Sequence, residues 1–367
     1  VHFTFSITAA NRVANNPPSD LFSDAEAINA FLGQPVAYQN VSGTFGIYGQ
    51  FCRPVHKAAS PGARKLQLLV HGSTYNHTYW SALQEPPASA HSELSWIDAA
   101  TRLGYWTLAI DRLGQGYSSK PDPVTVVQDP VQTQLLHLLA RRIRDDDVLG
   151  IGFSDQRSKL IYVGHSFGSG LGVHLAAAHP GDFDGLVLTG IATVRGNPQP
   201  GSLLARWAPA AQAFPNRFPP DLPGGYLVST NKTGREALYW GARADFDAAL
   251  FERDWVGQGT HPLGEVLTVA EYLADLPGPR FDKPVFVADG SEDAVFCSDL
   301  GSRALGPVGC RAGDDGEVGK TREWFPGVPG ELFAAYLQPS AAHDHILHKT
   351  GNQLISHAHD WLASVDL

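Results

Sequence analysis

The sequence predicts an α/β fold built on a mostly parallel, buried sheet, and three observations carry that prediction. Short apolar runs recur along the chain: Leu66-Gln67-Leu68-Leu69-Val70, Trp106-Thr107-Leu108-Ala109-Ile110, and residues 160–163, 186–188 and 285–288. Strands covered by helices on both faces read as such near-continuous runs, whereas a one-sided sheet alternates. Helix-like or loop sequence separates the runs, which is the rhythm of parallel crossovers. The run at 160–163 leads into Gly164-His165-Ser166-Phe167-Gly168 and a helix-like stretch ending at His179, so a strand turns sharply into a helix with a serine at the corner.

Residues 1–35 mix Asn, Pro and Ser around one short helical pattern at 24–32 and read as an N-terminal arm. Residues 36–53 alternate, with a break near Ser42-Gly43, and predict two antiparallel strands. Helices are expected at 92–103, with Glu93 in the first turn, at 131–149, and at 168–179, where Pro180 is the stop. Asp145-Asp146-Asp147 closes the second of these and reads as a solvated helix end rather than a metal site. Residues 332–337 form the last expected strand and 351–364 the closing helix. From 192 to 280 the rhythm breaks, and the chain is rich in Pro, Gly, Trp and Tyr. A mainly helical cap inserted between two core strands is expected there, because structureless loops of that length are uncommon in compact domains. The organisation is therefore an arm at 1–35, a core domain at 36–191 and 281–367, and a cap (lid) at 192–280.

Length and composition fit this plan. A chain of 367 residues with 43% hydrophobic and 17% charged residues can bury a large core. Its net charge of -10, with no basic stripe, argues against a nucleic-acid partner. No apolar run approaches the roughly 20 residues of a membrane span. The chain begins at Val1 and contains no Met, as a processed or trimmed chain would. Asn40, Asn76 and Asn231 head Asn-x-Ser/Thr sequons and are candidate glycosylation sites. Cys297 and Cys310 bracket a Gly/Ser-rich loop and can pair, leaving Cys52 over. These features suggest secretion; the alternative is a cytosolic chain with reduced cysteines.

The chemistry centres on Ser166. A serine hydroxyl is a poor nucleophile at neutral pH and needs a base, which in turn needs an orienting carboxylate, expected in the order Ser, acid, His. After the strand at 285–288 come Asp289, Glu292 and Asp293. Asp289 is still at the strand's edge and Glu292 points away, so Asp293 in the following turn is the acid expected. Downstream, His343, His345 and His348 compete for the base. His343 is favoured as the first after small residues that let a loop approach the serine; His345 is the runner-up, and His348 reads as the start of the last helix. A metal reading of His343 with His345 lacks a second ligand cluster, and His357 with His359 reads as a wet helix face. An oxyanion needs amide donors already in place. Phe167, at the helix N-terminus, and Ser73, in His71-Gly72-Ser73-Thr74 after the first parallel strand, are the expected pair. His71 is read as structural.

These motifs, with Asp111-Arg112-Leu113-Gly114-Gln115-Gly116-Tyr117-Ser118 between them, occur in order across residues 36–364. In them the chain resembles the α/β-hydrolase superfamily. Gly49-Gln50-Phe51-Cys52-Arg53-Pro54, Asp293-Ala294-Val295-Phe296-Cys297 and His343 with Leu347-His348 are similar to a group of secreted fungal, esterase/lipase-like α/β-hydrolases. The resemblance implies an eight-stranded sheet with helices on both faces, and a structural turn role for Asp111. One departure is Ala341-Ala342-His343, where the pattern usually places Gly before His.

Serine at the corner, where epoxide hydrolases and dehalogenases of this superfamily carry Asp, points to acyl transfer to water. The expected function is a Ser166-Asp293-His343 hydrolase of carboxylic esters or lactones, small molecules with a hydrophobic or aromatic group, needing no metal or organic cofactor. Tyr75, Trp80, Tyr226 and Trp240 are candidates for the substrate pocket. A glycan on Asn76 would crowd an entrance beside them. Lyase or C-C bond chemistry on the same triad, and a non-catalytic binding scaffold, are the alternatives; water incorporation into a carboxylate product and fluorophosphonate labelling discriminate them.

Overall fold

The computed structural model describes residues 1–13, 21, 25–33, 36–55, 64–84, 92–153, 155, 157–193, 204–241, 245–268, 276–297 and 309–367. In chain order the strands are β1 His2–Arg12, β2 Tyr38–Cys52, β3 Lys65–Val70, β4 Trp106–Ile110, β5 Lys159–His165, β6 Gly185–Thr189, β7 Trp207–Pro209, β8 Tyr226–Ser229, β9 His261–Pro262, β10 Val285–Gly290 and β11 Phe333–Gln338. The principal helices are α1 Ala25–Leu32, α2 Trp96–Arg102, α3 Asp129–Asp145, α4 Phe167–Ala178, α5 Ala248–Gly257 and α6 Gly351–Ser364. Eight strands make one sheet in the order β1-β2-β4-β3-β5-β6-β10-β11. β1, β2 and β4 pair antiparallel, and from β4 to β11 every pairing is parallel.

The unbroken apolar runs have a direct cause. Along β3, Leu66, Leu68 and Val70 join one buried cluster and Leu69 the other; along β5, Leu160 and Tyr162 separate from Ile161 and Val163 in the same way. Both faces of the sheet are therefore dry at β3 and β5. Side chains of α3 and α4 cover the first face, those of α2 and α6 the second.

Two expectations about the N-terminal region change. His2–Arg12 is an edge strand of the main sheet, its Phe3, Phe5 and Ile7 buried and His2, Thr4, Ser6 and Thr8 exposed. Tyr38–Cys52 is one strand, not two, because Ser42 and Gly43 lie in register with Thr8 and Ile7, and the Ser42 and Thr8 hydroxyls hydrogen bond at 2.7 Å. The break in alternation there is a seam between paired strands.

Between β6 and β10, helices make up most of the described regular structure, but β7, β8 and β9 also form a three-stranded antiparallel sheet that the sequence reading lacks. This insertion packs on loops at the carboxyl ends of the core strands. Thr74 exchanges backbone hydrogen bonds with Gly259 and Thr260, and the Asp344 amide donates to the Tyr239 carbonyl at 3.0 Å. Asp145 ends α3 and ion-pairs with Arg141, while Asp147 accepts amides of Ile151, Gly152 and Phe153 and so shapes the next loop. Among the described residues no helix is long and apolar enough to cross a membrane.

Candidate active site

Ser166 stands between β5 and α4 with φ 53° and ψ -118°, a conformation an L-residue adopts only where its surroundings enforce it. The Ser166 amide donates to the Thr189 carbonyl at 2.8 Å, and the Ser166 carbonyl accepts the amides of Ser169 and Gly170. The flanking glycines are required by contact. A Cβ on Gly168 would lie 2.2 Å from the Val70 carbonyl oxygen, and one on Gly164 would lie 2.7 Å from that of Gly168. β3, β5 and α4 thus cross closely enough to turn the serine outward, and Ser166 retains partial exposure.

The loop after β11 brings His343 to this serine. Its Nε2 lies 2.8 Å from Ser166 Oγ and its Nδ1 2.6 Å from Asp293 Oδ2. Asp293 occupies the turn after β10, fully buried, where its Oδ1 accepts the amides of Val295 and Phe296 at 2.5 and 2.8 Å. Burial alone would raise the Asp293 carboxyl. The His343 charge and hydrogen bond, with the Phe296 amide, reverse this and hold it well below the usual carboxylate range. Burial likewise favours a neutral His343, but the Asp293 charge and hydrogen bond, with Asp344, outweigh it and raise the imidazole above its ordinary value.

The competing histidines are separated by their partners. His345 is fully buried, and neither ring nitrogen has a hydrogen-bond partner among the described residues. His348 precedes α6 instead of starting it, and its ring joins the Ala342 amide and the carbonyls of Asp344 and Trp240. The wet-face reading of His357 and His359 holds for His357 only. His359 is buried, within 3.2 Å of the Gln67 amide, and burial pulls it down to about 4. Of metal-type groupings in the site, Asp289, Asp293 and His343 have ligand-type atoms within 4.8 Å of one another, but Asp293 and His343 are already committed to the hydrogen-bonded chain ending at Ser166.

The loop after β3 passes directly beneath the serine, since a Cβ on Gly72 would lie 2.9 Å from that of Ser166. Phe167, the first residue of α4, has no intrahelical acceptor for its amide. Among the described residues no hydrogen bond takes up the amide of Ser73 or of Phe167. His71 holds the loop: its Nδ1 meets the Gly72 carbonyl and its Nε2 accepts the Arg112 amide. Asp111 is occupied by the backbone and ring of His77 and the amide of Tyr117.

The aromatic pocket candidates are corrected. Trp80, Tyr226 and Trp240 have no exposed surface. Trp80 packs on Trp96, the Tyr226 hydroxyl donates to the Pro121 carbonyl, and Trp240 Nε1 donates to Asp254. Tyr75 is buried too, its hydroxyl bonded to Asp344 and its ring beneath Arg235, although it borders a groove of about 530 Å³ with Asn76 and Arg253. Trp80, Tyr226 and Trp240 are packed inside the protein instead of lining an open site. Closer to the chemistry, the His165 ring lies 5.2 Å from the His343 ring, and Tyr239 and Phe296 each lie 5.8 Å from it. Asn40 is exposed on β2, while Asn76 caps a helical turn through its side-chain oxygen and Asn231 Nδ2 donates to the Leu204 carbonyl. Cys297 and Cys310 form a disulfide, and Cys52 is free.

The family model described as "Alpha/beta hydrolase family" matches residues 67–363, which include every residue of the Ser166, His343 and Asp293 chain. No curated protein matches the sequence. Among solved structures, a thermophilic esterase from Thermogutta terrifontis is similar at 16% identity and TM-score 0.52, covering 88% of this chain and 95% of its own. A monoacylglycerol lipase from Paleococcus ferrophilus gives 15% and 0.53 over 87% and 98%, and an epoxide hydrolase from Vigna radiata gives 14% and 0.51 over 88% and 94%. Likeness at this level establishes the fold and leaves the reaction to the site.

Proposed function

We propose that this chain, which belongs to the alpha/beta hydrolase family, hydrolyses carboxylic esters or lactones through an acyl-enzyme on Ser166. The observation that carries the proposal is the unbroken chain from Ser166 Oγ to His343 Nε2 at 2.8 Å and from His343 Nδ1 to Asp293 Oδ2 at 2.6 Å. In this reading His343 Nε2 takes the proton of Ser166 as Oγ attacks the carbonyl carbon, and Asp293 stabilises the imidazolium formed. The Ser73 and Phe167 amides receive the oxyanion. Collapse of the tetrahedral intermediate breaks the bond to the alkoxide, which leaves with the proton from Nε2. A water activated by the same imidazole then releases the acid and restores Ser166.

Tyr239 and Phe296 place aromatic carbon beside His343, which supports an apolar or aromatic group on the substrate. Residues 192–280 act as a cap over it in this proposal. The disulfide and the exposed Asn40 sequon support a secreted protein. The test is hydrolysis of a short p-nitrophenyl ester. Ser166→Ala should lose roughly 10⁴-fold or more in kcat with folding intact and lose fluorophosphonate labelling. Turnover undiminished in the variant would sink the proposal.

A further inference from the structure

Asp289, in β10, has no part in the chain just described, yet its carboxyl group lies in the same buried space. It is fully buried. A carboxyl oxygen of Asp289, one of Asp293 and a ring nitrogen of His343 lie within 4.8 Å of one another, and a carboxyl oxygen of Asp289 lies within the same distance of both sulfurs of the Cys297–Cys310 disulfide. Asp289 Oδ1 accepts the Gly290 amide at 2.8 Å, but among the described residues Oδ2 has no hydrogen-bond donor. A buried polar atom without a partner is costly, and an ionised carboxylate with a bare oxygen beside a second carboxylate is more so.

We propose that Asp289 is a positioning residue for the triad acid, a neutral carboxyl group whose Oδ2–H donates to the Asp293 carboxylate. This rests on the reading of Asp293 as the acid. The assignment resolves the orphan oxygen, because the one atom lacking a donor becomes a donor itself. It also completes the shell of Asp293, whose Oδ1 takes two amides and whose Oδ2 takes the His343 ring. The facing charges agree: burial first, then the Asp293 charge and hydrogen bond, push the Asp289 carboxyl well above the usual range, while Asp293 is held low. The environment thus divides two adjacent carboxyls into one acid and one carboxylate. Apolar sulfur of the Cys297–Cys310 disulfide also lies within 4.8 Å of an Asp289 carboxyl oxygen.

The experiment compares Asp289→Asn, which keeps a donor, with Asp289→Leu, which keeps volume alone. Asparagine should hold kcat on a p-nitrophenyl ester within about threefold of wild type. Leucine should lower kcat about 10- to 100-fold with little change in KM, as expected for a lost buried hydrogen bond to a charged group. Infrared difference spectroscopy gives a second readout that does not depend on how well the leucine variant folds. Wild type at neutral pH should show a protonated-carboxyl band that is missing from Asp289→Asn. Equal damage from Asn and Leu, wild-type kcat in a folded leucine variant, or no band difference, would each overturn the proposal. Asp293→Ala with wild-type kcat would instead overturn the choice of acid, while fluorophosphonate labelling of Ser166 reports on the nucleophile independently.

Discussion

His343 is the residue through which pH should control the reaction. It can accept the serine proton only when neutral, and its pKa lies above the ordinary imidazole value because the Asp293 carboxylate outweighs burial. Activity should therefore fall as pH drops through a value above the roughly 6.5 of a free imidazole. In Asp293→Asn the larger attracting charge is gone while burial remains, so the acid limb should move to lower pH while kcat falls about 10⁴-fold. A pH profile of kcat/KM checks both, and an unmoved limb in the variant would contradict the assignment. At this scale the sequence was legible where the signal is local: Ser166 is written in nine consecutive residues. His343 lies 177 positions from Ser166 and Asp293 lies 50 back from His343, so choosing these two rested only on order along the chain and the size of neighbouring residues. The neutral partner Asp289 carried no signal, because protonation is set by burial, which only the fold creates. The error over Trp80, Tyr226 and Trp240 has the same origin, since an aromatic ring reads alike in sequence whether it faces substrate or the protein interior.

Among the elements, the turn that follows β10 shows how a short segment is made stiff enough to hold the Asp293 carboxylate. Val295 and Phe296, which donate amides to Asp293, immediately precede Cys297, and the Cys310 amide ties back to the Ser291 carbonyl at 3.1 Å. The disulfide thus closes the segment on itself across a separation of 13 residues. Replacing both cysteines by alanine should cost about 2–3 kcal/mol of stability in urea unfolding and lower kcat roughly tenfold as those amides loosen. Peptide mapping without reduction should recover the two cysteines as one linked pair, and unchanged kcat in the double variant would show that the turn is rigid without it. Strand legibility followed burial. β3, β4, β5, β6 and β10 read clearly because both faces are dry, and β1 was missed although Phe3, Phe5 and Ile7 alternate in plain view, because Asn- and Pro-rich sequence follows it directly. The small sheet of β7, β8 and β9 was not legible, since strands of two to four residues carry too few positions to show a period.

Across the whole molecule, the insertion is joined to the core by buried charge, and this gives it a route to the loop after β3, the proposed oxyanion loop. Arg112, in the turn after β4, donates through Nε to the His71 carbonyl at 2.9 Å and through Nη2 to the Gly72 carbonyl at 3.2 Å, and its guanidinium lies 4.8 Å from the centre of the Phe167 ring. The same guanidinium ion-pairs with Glu265 of the insertion, and Gln132 of α3 bonds to both. Arg112 and Glu265 are each fully buried. A second buried pair, Arg235 with Asp254, sits inside the insertion and reaches Thr74 of the same loop at 3.1 Å. Removing one member of such a pair strands the other charge, so Glu265→Ala should cost about 3–5 kcal/mol in urea unfolding. Stability alone would not show what the pair does. Because Arg112 holds the carbonyls that precede Ser73, its release should displace an oxyanion donor, lowering kcat more than it raises KM, by roughly 10²-fold. Glu265→Gln should recover part of that loss, since its side-chain oxygen still accepts from the guanidinium. If Glu265→Ala instead keeps wild-type kcat while losing stability, the insertion supports the core without reaching the loop. If kcat falls as expected, residues far outside the serine, histidine and aspartate chain set the geometry in which the oxyanion is received.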